Sequence, residues 1–118
     1  MRKDFPEKQK KKLLAQRTQI LESLAAQSEA MSRLVEGVES GDEVDKASGV
    51  IDRTLLDSLG AADAARLTAI ENAIVRINQG KYGLCLQCGK PIPEARLDAI
   101  PYAALCVNCQ TVQEKKNR

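Results

Sequence analysis

All four cysteines lie in the last third of the chain, as Cys85-Leu86-Gln87-Cys88 and Cys106-Val107-Asn108-Cys109, with 17 residues (89–105) between the pairs. A CxxC turn lets two thiolates reach one ion. Two such turns complete a tetrahedral zinc site with Zn–S bonds of about 2.3 Å. Gly83 and Gly89 flank the first pair, where the chain must turn tightly and backbone N–H groups can approach sulfur. Four sulfur ligands leave no open coordination position, so one structural Zn²⁺ on Cys85, Cys88, Cys106 and Cys109 is expected. Two disulfides would use the same residues, but they are rare in a reducing cytoplasm. A thioredoxin-like redox CxxC would need a surrounding βαβ pattern, which the flanking sequence lacks. The segment is also too small and too poor in apolar residues to fold without a staple.

Other chemistry is narrowed by what the 118 residues contain. There is no histidine, which excludes an imidazole base and a His-containing metal site. With the cysteines occupied and no nucleophile–base pair in view, the chain is not expected to be an enzyme. The formal charge is +2, with no global excess that would point to DNA or to a membrane. Its distribution is uneven: residues 1–17 carry seven bases and two acids, residues 18–80 five bases and eleven acids, and residues 81–118 six bases and three acids. No apolar run approaches the roughly 18 residues of a membrane span, and the basic N-terminus has no secretory-signal pattern. A cytoplasmic monomer is expected. A zinc-ribbon nucleic-acid binder is the alternative, using the basic N-terminus and finger against phosphates. The acidic middle would repel a duplex lying along it, and few aromatics are present for stacking on single strands. A non-catalytic coiled-coil adaptor is the other alternative.

The elements that must hold the cysteines are helical. Aromatics make up 3% of the chain, so the core must come from Leu, Ile, Val and Ala. No proline stands between Pro6 and Pro91, which permits long helices. Leu13, Leu14, Ile20, Leu21, Leu24, Met31, Leu34, Val35 and Val38 form one stripe, predicting a helix of about eight turns. Gly37, Gly41 and Gly49 mark a turn region. A second stripe runs from Val50 to Ile77, ending in the seam Leu67/Ile70/Ile74/Ile77, and Gly80 is the stop signal. The fold class expected is all-α: a long antiparallel coiled-coil hairpin joined to a small four-cysteine zinc finger with a short terminal helix. Residues 1–12 are read as a basic N-terminal segment. Residues 13–79 are the hairpin with its tip near 37–49, and 80–118 are the finger and C-terminal helix. At 1.5 Å per residue, 30 residues make an arm of about 45 Å. Its seam does not include the cysteines, so the arm is expected to survive loss of the metal.

The run Gly80-Lys-Tyr-Gly83-Leu-Cys85-Leu-Gln-Cys88-Gly89, with Ile92, Arg96, Leu97, Ala99, Pro101 and Cys106-Val-Asn-Cys109, resembles the DksA/TraR family of bacterial zinc-finger transcription factors. The resemblance implies binding to RNA polymerase rather than sequence-specific binding to DNA. It also implies a coiled-coil tip inserted through the polymerase secondary channel. Asp42-Glu-Val-Asp45-Lys-Ala47 fits the DxxDxA tip signature of the transcriptionally active members, which makes Asp42, Asp45 and Ala47 the residues expected to act there. Glu36, Glu39, Asp42, Glu43 and Asp45 place five acids in ten residues at this turn. In alarmone-responsive members, bases help bind guanosine tetraphosphate where this chain has Ala69, Ile100 and Gln110. The resemblance therefore implies little response to that nucleotide.

Overall fold

The computed structural model describes residues 3–39 and 53–116. Among the described residues six helices follow one another: α1 (Phe5–Ala25), α2 (Glu29–Glu39), α3 (Arg53–Ser58), α4 (Ala61–Asn78), α5 (Glu94–Ala99) and α6 (Val107–Lys116). The all-α class expected from the sequence is what the chain adopts. Beyond the helices, the described residues hold one isolated antiparallel bridge, Leu84 to Pro91. No helix among the described residues is long and apolar enough to cross a membrane.

Helix α1 starts at Phe5, with Pro6 in the first turn, where a missing N–H costs nothing. The basic segment is therefore helical from residue 5 onward. Phe5, Gln9, Leu13, Arg17, Ile20, Leu21 and Leu24 are its buried positions, spaced three and four apart on one face. Helix α4 answers with Leu67, Ile70, Ala73, Ile74 and Ile77, which contains the seam read from the sequence. The two helices run antiparallel. Lys10 Nζ donates to Asn78 Oδ1 at 3.0 Å, and two turns further along α1 the Arg17 guanidinium meets Glu71, correspondingly further back along α4.

The arm is not a straight rod of eight turns. Helix α1 ends at Ala25, and α2 restarts at Glu29 with Ser28 as its cap: Ser28 Oγ accepts the Met31 N–H at 3.1 Å. The stripe hid this break because Leu24 and Met31 keep a step of seven across it. The seam positions in between, Gln27 and Ser28, are polar and exposed, so no burial holds the helix together there. The second strand of the hairpin also breaks, at Gly60, between α3 and α4. Running the α1/α4 register onward places Ser28 opposite Gly60, so both strands are interrupted at one level. Helix α1 packs against both α4 and α2.

Gly80 ends α4 at a φ of +73°, a conformation that costs glycine little. The Gly80 N–H donates to Ile77 O at 3.0 Å and the Lys81 N–H to Arg76 O at 2.8 Å, the paired bonds of a Schellman cap. This closes the last turn of α4 and delivers the chain into the cysteine region. The core does not divide there. Phe5, Leu13, Leu21, Leu67 and Ile74 belong to the same buried cluster as Tyr82, Cys85, Ile92 and Leu97.

Candidate metal centre

The first CxxC sits in a tight turn. The Cys85 N–H donates to Lys90 O at 2.9 Å, the Gly89 N–H to Cys85 O at 2.9 Å, and the Ile92 N–H to Gly83 O at 2.7 Å. Gly83 and Gly89 both take positive φ, +91° and +74°, the glycine conformation that the flanking residues foretold. The second CxxC opens α6. Cys106 precedes the helix, and its Sγ accepts the Cys109 N–H at 3.5 Å, a thiolate in the place of an N-terminal cap, where the helix dipole favours negative charge. Two further bonds join the pairs. The Leu86 N–H donates to Ala104 O at 2.9 Å, and Arg96 Nε donates to Leu105 O at 3.1 Å.

These turns bring the four sulfurs within 4.8 Å of one another. Cys88 and Cys106 Sγ lie 3.9 Å apart. A disulfide needs about 2.05 Å, whereas the edge of a tetrahedron with Zn–S bonds of about 2.3 Å is about 3.8 Å. All four cysteines are free. Electrostatics point the same way. Backbone N–H groups, that of Cys88 first and that of Cys106 next, pull the Cys85 thiol down to about 6. The Cys109 N–H, as the largest influence, lowers Cys106. Cys109 moves the other way, up to about 12, chiefly because its proton is shared with Cys106, with burial adding to it. The cluster favours thiolates on some sulfurs and resists the full set, the condition that a divalent cation relieves.

The three tip residues, Asp42, Asp45 and Ala47, lie outside the described residues. Ala69, Ile100 and Gln110, from three separate parts of the sequence, line one cleft of about 480 Å³ with Arg96, Tyr102 and Glu114. Two polar features were not read from the sequence. Gln9 is 1% exposed and donates from Nε2 to Leu97 O at 2.7 Å and to the Tyr82 hydroxyl at 3.3 Å. Tyr82 in turn donates to Pro101 O at 2.8 Å. Arg17 and Glu71 form a nearly buried ion pair between α1 and α4. The signal for both lay in the stripe itself, since Gln9 and Arg17 occupy core positions four residues either side of Leu13.

A helical chain closed by a four-cysteine cluster defines a zinc-finger protein with one structural metal. Residues 80–115 match the prokaryotic dksA/traR C4-type zinc finger. Over 112 residues the chain is 37% identical to the RNA polymerase-binding transcription factor DksA of Caulobacter vibrioides, covering 92% of this chain and 75% of that protein. Protein TraR of Escherichia coli is 51% identical over 35 residues, covering 30% of this chain and 48% of TraR. The solved structure of transcription factor DksA2 from Pseudomonas aeruginosa superposes with a TM-score of 0.66 at 29% identity, covering 100% of this chain and 89% of that one. The chain belongs to the DksA/TraR family.

Proposed function

We propose that this chain binds RNA polymerase and modulates transcription initiation from the secondary channel. In this reading Cys85, Cys88, Cys106 and Cys109 ligate the single zinc and hold the docking body, residues 80–118. Residues 13–79 form the arm, and Asp42, Asp45 and Ala47 act from its tip near the polymerase catalytic centre. The basic segment 1–12 adds the first turns of α1 to the body. The protein works in the cytoplasm as a monomer and carries out no chemistry of its own.

The observation that carries this is the length of the match to the Caulobacter factor. It takes in 92% of this chain, hairpin and finger together. A shared zinc finger alone would support far less. The acidic turn adds to it. Five acids in ten residues repel one another, and packing gives no reason for the choice.

The test compares capture of core RNA polymerase with capture of duplex DNA at low and high salt. Selective, salt-tolerant capture of polymerase is expected, because phosphate-driven binding would fall steeply with salt. Asp45→Asn keeps size while removing one charge. It should bind polymerase as the wild type does and lose most of the effect on initiation. Full activity in Asp45→Asn would remove the tip from the mechanism. Failure to capture polymerase at all would remove the function.

A further inference from the structure

We infer that the first turns of α1, residues 5–13, belong to the metal-dependent unit, and that Gln9 is the positioning residue that ties them to it. The inference rests on the ligand assignment above. Every group that meets Gln9 is placed by chain that the metal holds. Tyr82 stands three residues before Cys85, while Leu97 and Pro101 lie between the two CxxC pairs. Leu97 O can only accept, which fixes the Gln9 amide with Nε2 toward it.

The apolar partners follow the same division. Phe5 at 2% and Leu13 at 0% exposure lie in the one buried cluster that joins Tyr82, Ile92, Leu97 and Ala103 to the α4 seam, so the finger supplies part of their cover. Between residues 80 and 106 the regular structure is one isolated bridge and a six-residue helix, too little to persist without the zinc. Once that segment opens, Gln9 loses both acceptors, and Phe5 and Leu13 lose the part of their cover that the finger supplies. The first turns of α1 then keep only what α4 gives them, the exposed Lys10–Asn78 bond and the apolar seam beside Leu13, and they fray more readily. Further along, Arg17 is paired with Glu71 of α4, and Ile20 and Leu21 stand about three turns beyond Gln9. Zinc thus sets the order of the arm at its base. The seam avoids the cysteines in sequence, yet the arm does not survive metal loss intact.

Amide hydrogen exchange on the full chain, zinc-loaded and then stripped by a chelator, tests this, with metal content measured on the same samples. Stripping should raise exchange at residues 5–13 at least about tenfold, together with residues 83–92. Unchanged protection at 5–13 while 83–92 opens would overturn the inference. In zinc-loaded Gln9→Leu, one equivalent of metal should remain. Exchange at 5–13 should rise about tenfold, the scale of one or two buried groups left unpaired, and its dependence on zinc should shrink. Tyr82→Phe, which removes one hydroxyl from the same network, should move 5–13 in the same direction by less. Wild-type exchange at 5–13 in both variants would refute the role of Gln9. Zinc retained after Cys88→Ser would instead refute the ligand assignment, a separate failure that the metal analysis reports.

Discussion

Replacing Arg17 with methionine strips the charge from one side of a nearly dry contact. The side chains of Arg17 and Glu71 are 6% and 13% exposed, so neither group regains much water when its partner goes. The attraction between two such charges is on the order of 4 kcal/mol at an effective dielectric constant of about 20. Removing both from water costs a similar amount, so the intact pair is close to balance. The single variants are not balanced. Arg17→Met takes from Glu71 the guanidinium it meets, and Glu71→Leu takes from the nearly buried guanidinium its carboxylate. Each should cost about 3 kcal/mol. The double variant, with matched apolar groups, should return to within about 1 kcal/mol of wild type. In urea, with a slope of about 1.5 kcal/mol per molar, each single change should lower the midpoint by about 2 M and the double change by less than half of that. Salt should leave the difference nearly untouched, since the pair is shielded from the solvent ions. Single variants costing under about 1 kcal/mol, with the double equal to their sum, would show that the pair is solvated and does not set the α1/α4 register.

Metal analysis of protein purified without added zinc should give about one equivalent per chain, and Cys88→Ser should abolish it with loss of the finger's exchange protection. Guanosine tetraphosphate should produce no more than a small change in any transcriptional effect, because Arg96, whose Nε is given to Leu105 O, is the one base among the described residues lining the cleft, and Ala69, Ile100 and Gln110 add none; a strong alarmone-dependent gain would contradict this. Burial, above all, raises the Tyr82 hydroxyl above its ordinary 10.0. A raised folded value gives stability that is fully present below about pH 10 and is lost as pH rises through the folded value. Alkaline unfolding should therefore show a contribution that Tyr82→Phe removes, and an identical alkaline limb in that variant would count against it.

The metal centre was legible because its information is local. Two residues between cysteines, and glycines beside them, specify turns that depend on nothing distant. Helix type was legible for a similar reason, since the stripes record a buried face. The breaks were harder to see. Ser28 carries a cap signal, but the step from Leu24 to Met31 preserves the period across it, and Gly60 sits inside a stripe that resumes at Leu67. The stripe marks Gln9 and Arg17 as core positions, but nothing in it names their partners. Gln9 finds its acceptor 88 positions away and Arg17 its carboxylate 54 away, and no spacing rule links them. Asp42, Asp45 and Ala47 rest on motif alone.

The interruption of both strands at Ser28 and Gly60 bears on how such a protein can change over generations. The α1/α4 pair with its finger is broken off on both sides at one level, and Val35 and Leu55 from beyond the breaks complete its buried cluster. A change beyond the breaks that leaves Val35 and Leu55 seated in that cluster need not disturb the Arg17–Glu71 contact that pairs α1 with α4. The outer portion is thus an attachment seated on the α1/α4 handle by its own apolar residues. Gly60 has nothing within 4 Å of where a Cβ would sit, so the seat of that attachment tolerates substitution as well.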